Sequence, residues 1–177
     1  LEEAIRESGG ITRMVRTGHS FMKRELKDNP NSPMAGEMSG HFFLNDRWPG
    51  FDCALYNTAR LLEIIGRDSA VEDSGPSFSQ RFANLPDYPS TNETKVPLNG
   101  EREDVMKAVE DAFSDMQKST VDGIRVNYSD GWYLCRASNT EPILVMRAEG
   151  RDKSALDYIL NDVNQRIGHM LDLSKLC

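Results

Sequence analysis

The sequence predicts an α/β unit with flanking helices, followed by an α+β domain with an antiparallel sheet and two helices on one face. Three observations predict it. Over residues 1–66 short apolar runs alternate with amphipathic helical stretches. Residues 67–90 turn polar and carry Gly75-Pro76, Pro86 and Pro89, as a junction between domains does. Beyond them, strands of period two meet at an Asp-Gly hairpin signal and are flanked by two helices of period 3.6.

The elements follow in order. Residues 1–8 read as a helix ended by Gly9-Gly10, and "ITRMV" (11–15) as a strand. Residues 18–28 read as a helix that buries Phe21, Met22 and Leu26. A loop over 29–33 leads through Met34-Ala35 and "GEMSGH" to the strand "HFFL" (41–44). After the turn "NDRWPG", Asp52 is placed to cap a helix over 53–65. Its apolar face is Ala54, Leu55, Thr58, Ala59, Leu61, Leu62 and Ile65, and Gly66 stands at its end. The expected domain limits are 1–74 and 91–177, with 75–90 a linker holding a short "FSQRFANL" helix.

In the second domain "TKVPL" (94–98) is extended. A helix over 101–118 carries Val105, Val109, Ala112, Phe113 and Met116 on one side. "GIRVNY" alternates as a strand, Asp130-Gly131 signals a hairpin, "WYLC" returns, and "ILVMRA" follows "RASNTEP". A closing helix over 152–171 places Leu156, Ile159, Leu160, Val163, Ile167 and Met170 together.

The formal net charge of -7 argues against broad nucleic-acid binding, which needs a basic face. No apolar run reaches the roughly 18 residues that a membrane span needs. Cys53, Cys135 and Cys177 fit neither a zinc spacing nor a disulfide framework, and free thiols in a reducing, cytoplasmic setting are expected. The opening "LEEAIRESGG" has the character of mid-helix rather than of a leader, so a piece of a longer protein is expected.

Three polar stretches carry chemistry. In "RASNTEP", Arg136 offers a planar fork of donors, Ser138 and Thr140 offer hydroxyls, and Asn139 an amide. A tight turn there can also aim backbone N–H groups at one point, although Ser and Asn favour turns for their own reasons. In "GEMSGH", Glu37 and Ser39 suit the vicinal hydroxyls of a sugar, and His41 suits proton transfer near neutral pH. The same stretch also reads as a plain glycine-rich bend. In "RTGHS", His19 lies at a strand-to-helix junction where anions are favoured, or is merely exposed beside a Ser20 cap.

Order and spacing bring these stretches together. "GHS", "GEMSGH" some twenty residues on, and a distant "RASNTEP" resemble the α-D-phosphohexomutase family. The flanks "GHFFLNDRWPGFDCALYNTARLLE" and "DGIRVNYSDGWYLCRASNTEPILVMRAEG" are similar to that family's third and fourth domains, and this resemblance implies that the first unit is a truncated, mixed sheet with flanking helices. The resemblance implies an intramolecular phosphotransferase that moves a phosphoryl group between the 1- and 6-positions of mannose or glucose phosphate. It implies Glu37, Ser39, His41 and His19 as substrate-binding residues, with His41 also catalytic. It implies Arg136, Ser138, Asn139 and Thr140 as the phosphate holders. The Met of "GEMSGH" fits the phosphomannomutase/phosphoglucomutase branch better than the phosphoglucosamine branch.

The resemblance further implies a phosphoserine loop and an Asp-rich Mg²⁺ loop in two N-terminal domains, and neither motif occurs in these residues. No metal ligand is therefore expected in this chain, and Mg²⁺ belongs to the full-length enzyme. Expected partners are hexose 1- or 6-phosphate, hexose bisphosphate and the two N-terminal domains. The isolated chain is expected to be inactive. The alternative is a non-catalytic module that binds sugar phosphate.

Overall fold

A computed structural model describes residues 1–69, 77–138, 140–174 and 176, apart from the side chains of residues 68 and 69. It divides into two compact units, Leu1–Pro86 and Asp87–Cys177.

The first unit holds α1 (Glu2–Glu7), α2 (His19–Asp28), β1 (Met34–Gly36), β2 (Phe42–Leu44) and α3 (Ala54–Ser69), then a 3₁₀ turn over Ser79–Phe82. β1 and β2 form an antiparallel hairpin in which Met34 faces Leu44 and Gly36 faces Phe42. Its core is small. Met22 and Leu26, one helical turn apart on α2, bury against Phe43 of β2, with Val15 and Ala35 packed alongside.

Several expectations for this unit need correction. The sheet expected to be mixed is, among the described residues, this one antiparallel pair. "ITRMV" joins no strand ladder, and Ile11 is 99% exposed. An extended segment needs a neighbour to accept its backbone hydrogen bonds, and the three-residue hairpin offers it none. Gly66 lies inside α3 rather than at its end, where the Glu63–Arg67 ion pair one turn apart supports the helix. Asp52 stands before the helix, bridged to Phe43 through the backbone and ion-paired with Lys23 at 3.1 Å.

The covered face of α3 also differs from the expected apolar one. Leu55 and Leu62 are exposed, whereas Tyr56, Asn57, Arg60 and Glu63 are partly covered. The physical reason is the partner that this helix meets. Trp48 stacks on Tyr56 at 4.4 Å between centroids, Asn57 donates to the Phe42 carbonyl at 2.9 Å, and Arg60 donates to Asp46 at 2.7 Å. Arg47 completes the set with a two-pronged pair to Glu63. A polar turn thus holds the polar face of the helix.

The second unit is a five-stranded antiparallel sheet in the order β3-β7-β6-β5-β4. Its strands are β3 (Thr94–Pro97), β4 (Lys118–Ser119), β5 (Ile124–Tyr128), β6 (Gly131–Ala137) and β7 (Ile143–Gly150). Alternate side chains Ile124, Val126, Tyr133, Cys135, Leu144, Met146 and Ala148 face one core. α4 (Arg102–Ala112) and α5 (Lys153–Ile167) cover that face with Val109, Leu156, Ile159, Val163 and Ile167. α5 starts at Asp152, whose carboxylate accepts the Ala155 N–H at 2.8 Å. Arg166 joins the two helices, donating to Asp162 on its own helix, to Asp115 and to the Ala112 carbonyl.

Both helices are shorter than their periodicity predicts. α4 stops at Ala112 because Lys118–Ser119 must leave the helix to pair with β5. The β5–β6 hairpin turns through Ser129 and Asp130, with Tyr128 facing Gly131, so the glycine belongs to the return strand.

Two predictions follow from this packing. Cys135 is fully buried, and burial pushes its thiol up to about 12, whereas Cys53 is half-buried. Iodoacetamide on the native chain labels Cys53 and spares Cys135, and peptide mass mapping finds Cys135 labelled only after unfolding. The second concerns acid. The Arg60 hydrogen bond holds the Asp46 carboxyl at about 2, below its ordinary 3.8. A depressed native value favours the folded state above 3.8, and that contribution disappears as pH falls toward about 2. Melting curves of the native chain across that window show a steeper fall in midpoint than those of Asp46→Asn.

Candidate functional site

The "GEMSGH" stretch is the turn of the β1–β2 hairpin. The Glu37 N–H donates to the His41 carbonyl at 2.9 Å and the Gly40 N–H to the Glu37 carbonyl at 3.0 Å. Gly40 takes a φ of +88°, which any other residue would adopt only under strain, and the space beside it is open. The three functional side chains converge. Ser39 Oγ lies 2.8 Å from His41 Nδ1, and Glu37 Oε2 lies 3.6 Å from the same nitrogen. His41 is 55% exposed while Glu37 is 11% exposed, so the imidazole faces solvent above a sheltered carboxylate.

The other carboxylate oxygen reaches across the unit. The Gly18 N–H donates to Glu37 Oε1 at 2.8 Å, a contact between residues 19 apart in sequence. Gly18 caps α2 with a φ of +129° and makes no side-chain cap bond. The helix start is therefore served by Glu37, and Ser20, read as a possible cap, lies within the helix. This bond links "RTGHS" to "GEMSGH". His19 is the first residue of α2 and is exposed, and its Nδ1 lies 3.4 Å from Lys23 Nζ. Arg16 lies with its guanidinium carbon 4.5 Å from the Phe21 ring centroid.

In the second unit "RASNTEP" joins β6 to β7. Arg136 pairs with Val145 in the ladder and is half-buried. No ion pair or side-chain hydrogen bond from a described residue holds its guanidinium. Ser138 is buried at 8% exposure, and its N–H closes the turn onto the Ile143 carbonyl at 2.9 Å. The N–H groups of Thr140 and Glu141 both donate to Ser138 Oγ, at 3.3 and 3.2 Å. The hydroxyl oxygen thus organises the turn and leaves its proton to donate, with Thr140 Oγ1 at 3.5 Å. Asn139 lies outside the described residues. Glu141 pairs with Lys95 of the neighbouring strand at 3.6 Å.

Among the described residues no three His, Cys, Asp or Glu side chains gather as a cation cage. The Mg²⁺ implied by the family resemblance finds no fitting donor set in them, and no chemical step here runs through it. No helix is long and apolar enough to cross a membrane, among the residues described.

Two contributors escaped sequence reading. Gly123 has a φ of +78°, and a Cβ there would lie 2.5 Å from Arg136 Cβ and 2.4 Å from the Cys135 carbonyl. Only glycine lets the start of β5 lie this close to the Arg136 backbone, and the Asp122-Gly123 pair was the available signal. Lys23 was the other, legible only as the residue one helical turn beyond His19.

Comparison with known proteins agrees over nearly the whole chain. Residues 1–87 match "Phosphoglucomutase/phosphomannomutase, alpha/beta/alpha domain III", and residues 93–166 match "Phosphoglucomutase/phosphomannomutase, C-terminal domain". A phosphomannomutase/phosphoglucomutase of Pseudomonas putida is 41% identical over 162 residues, which cover 90% of this chain and 34% of that protein. A phosphoglucomutase of Neisseria meningitidis is 43% identical over 162 residues, covering 89% of this chain and 34% of its own length. The crystal structure of a phosphoglucomutase/phosphomannomutase family protein from Burkholderia thailandensis superposes with a TM-score of 0.78 at 37% identity. It covers 94% of this chain and 34% of its own. The chain thus spans about a third of the length of the relatives it matches.

The hairpin geometry makes one prediction. Gly40→Ala forces a β-carbon onto a left-handed backbone and lowers the stability of the first unit by about 1–2 kcal/mol, read from urea unfolding followed at Trp48.

Proposed function

The chain belongs to the phosphoglucomutase/phosphomannomutase family, spanning its domain III and C-terminal domain, and from that premise we propose that it is the sugar- and phosphate-binding part of a hexose phosphomutase. The proposed reaction of the full-length enzyme moves a phosphoryl group between the 1- and 6-positions of a mannose or glucose phosphate. The observation that carries the reading is the Glu37–Gly18 bond, which joins the glycine-bracketed hairpin to the start of α2 in one polar constellation.

Each unit is assigned by its own residues. In the first, Glu37 Oε2 and the Ser39 hydroxyl can accept and donate hydrogen bonds to vicinal sugar hydroxyls, and the exposed His41 imidazole can take or give a proton there. His19 offers a further ring nitrogen at the helix start. In the second, the Arg136 fork, which no described residue pairs, suits two oxygens of a phosphate, and the Ser138 and Thr140 hydroxyls add neutral donors. Asn139 is assigned to the same phosphate by resemblance alone. Phosphoryl transfer asks a protein mainly for positioning and charge stabilisation, and these residues supply the positioning share. The phosphoserine and the Mg²⁺ of the full-length enzyme are proposed to come from segments with motifs absent from these 177 residues. The free thiols of Cys53 and Cys135 suit a reducing compartment such as the cytoplasm.

The test is a titration of the chain with glucose 1-phosphate, mannose 1-phosphate and inorganic phosphate, followed through amide NMR shifts. Every phosphate is expected to shift Arg136–Thr140, and only the sugar phosphates Glu37–His41. Absence of shifts at both stretches up to millimolar ligand would refute the reading. Arg136→Lys loses the two-pronged contact, so phosphate binding in the same titration weakens roughly tenfold, about 1.4 kcal/mol. The chain by itself is expected not to interconvert hexose 1- and 6-phosphates above a protein-free blank.

A further inference from the structure

His19 opens α2, and Lys23 follows one turn later, so helical geometry sets both side chains on one face. Lys23 Nζ lies 3.4 Å from His19 Nδ1. The ammonium is itself held. It lies 3.1 Å from Asp52 Oδ1 and 5.9 Å from the ring centroids of both Phe43 and Phe51. Phe43 is fully buried, and Asp52 is bridged to it through the backbone, so this partly exposed ion pair is tied to the edge of the core. The hydrogen bond from Lys23 is the chief cause that lowers the Asp52 carboxyl below its ordinary range.

An ammonium carries three donors and no acceptor. A ring nitrogen that meets it must present a lone pair. Nδ1 of His19 is then the bare nitrogen, and the proton of the neutral ring sits on Nε2. We propose that Lys23, anchored by Asp52, is a positioning residue that holds His19 in its Nε2–H tautomer. The ring then meets a ligand as a hydrogen-bond donor, which suits a phosphate or hydroxyl oxygen and refuses a group that can only donate. That last consequence rests on the hexose phosphate reading, whereas the tautomer is a property of the ligand-free chain. His41 is under a different constraint, because its Nδ1 faces the Ser39 hydroxyl and the Glu37 carboxylate. It serves as an internal control.

The experiment is a long-range ¹H–¹⁵N correlation spectrum of the imidazoles in the whole 177-residue chain, without ligand, at about pH 8.5, where an ordinary histidine is neutral. Native His19 is expected to show a bare Nδ1 and a protonated Nε2. In Lys23→Met the separation between its two nitrogen shifts shrinks toward the average of exchanging tautomers. Lys23→Arg, which also only donates, retains the native pattern. The His41 pattern and the Gly18 amide shift stay unchanged in both variants, showing that the unit remains folded. A native His19 protonated on Nδ1, or a native pattern that survives Lys23→Met, overturns the proposal. Glucose 1-phosphate and inorganic phosphate are then added to each form. A shift of the native His19 Nε2–H that needs several-fold more ligand in Lys23→Met supports the donor role. Silence of His19 to both ligands, with the tautomer still following Lys23, overturns the hexose phosphate reading and the donor role while the Lys23 assignment stands.

Discussion

The first site depends on one hydrogen bond, from the Gly18 N–H to Glu37 Oε1 at 2.8 Å. A helix start leaves N–H groups without intrahelical partners and carries partial positive charge, so a carboxylate placed there is stabilised twice over. Glu37 is 11% exposed, and a polar group so sheltered from water needs hydrogen-bond partners within the protein. Its second oxygen stays near the His41 ring at 3.6 Å, so one side chain fixes the helix start and the hairpin tip together. The small core described in this unit, Met22 and Leu26 against Phe43 with Val15 and Ala35 alongside, packs α2 on β2, and the Glu37 bond adds a polar tie between the helix start and the hairpin tip.

The second unit solves its own positioning problem differently. Its sheet and two helices share a continuous core, and the β6–β7 register alone sets Arg136 beside the turn. The turn is then held from within by Ser138 Oγ, which accepts two N–H groups. Such a scaffold can leave the Arg136 guanidinium without a partner among the described residues, because the backbone already fixes its origin. The first unit lacks such a scaffold and instead spends polar contacts on shape: Arg60 with Asp46, Arg47 with Glu63, and Lys23 with Asp52.

This contrast explains what could be read from the sequence. In the second unit period-two strands and period-3.6 helices stated the architecture directly, and only the two-residue β4 and the helix ends were missed, since pairing with a distant strand decides them. In the first unit periodicity misled. The apolar stripe of α3 pointed to burial of Leu55 and Leu62, but the helix is held through Tyr56, Asn57, Arg60 and Glu63, and no local pattern announces ion pairs with a turn. "ITRMV" had strand composition without a strand to pair with. The site residues themselves were legible from short motifs, because glycine, carboxylate, hydroxyl and imidazole stand close in sequence. Their connections were not. The Glu37–Gly18 bond and the inward use of the Ser138 oxygen depend on tertiary placement, which spacing along the chain does not encode.

The central claim is that Glu37 ties the start of α2 to the hairpin, and a through-hydrogen-bond ¹⁵N–¹³C coupling experiment tests it most directly. A cross-peak that links the Gly18 amide nitrogen to the Glu37 side-chain carboxyl carbon, and vanishes in Glu37→Ala, is the predicted result. A spectrum in which Gly18 pairs with another acyl carbon, or in which its amide exchanges with solvent at the rate of an unstructured chain, would contradict it.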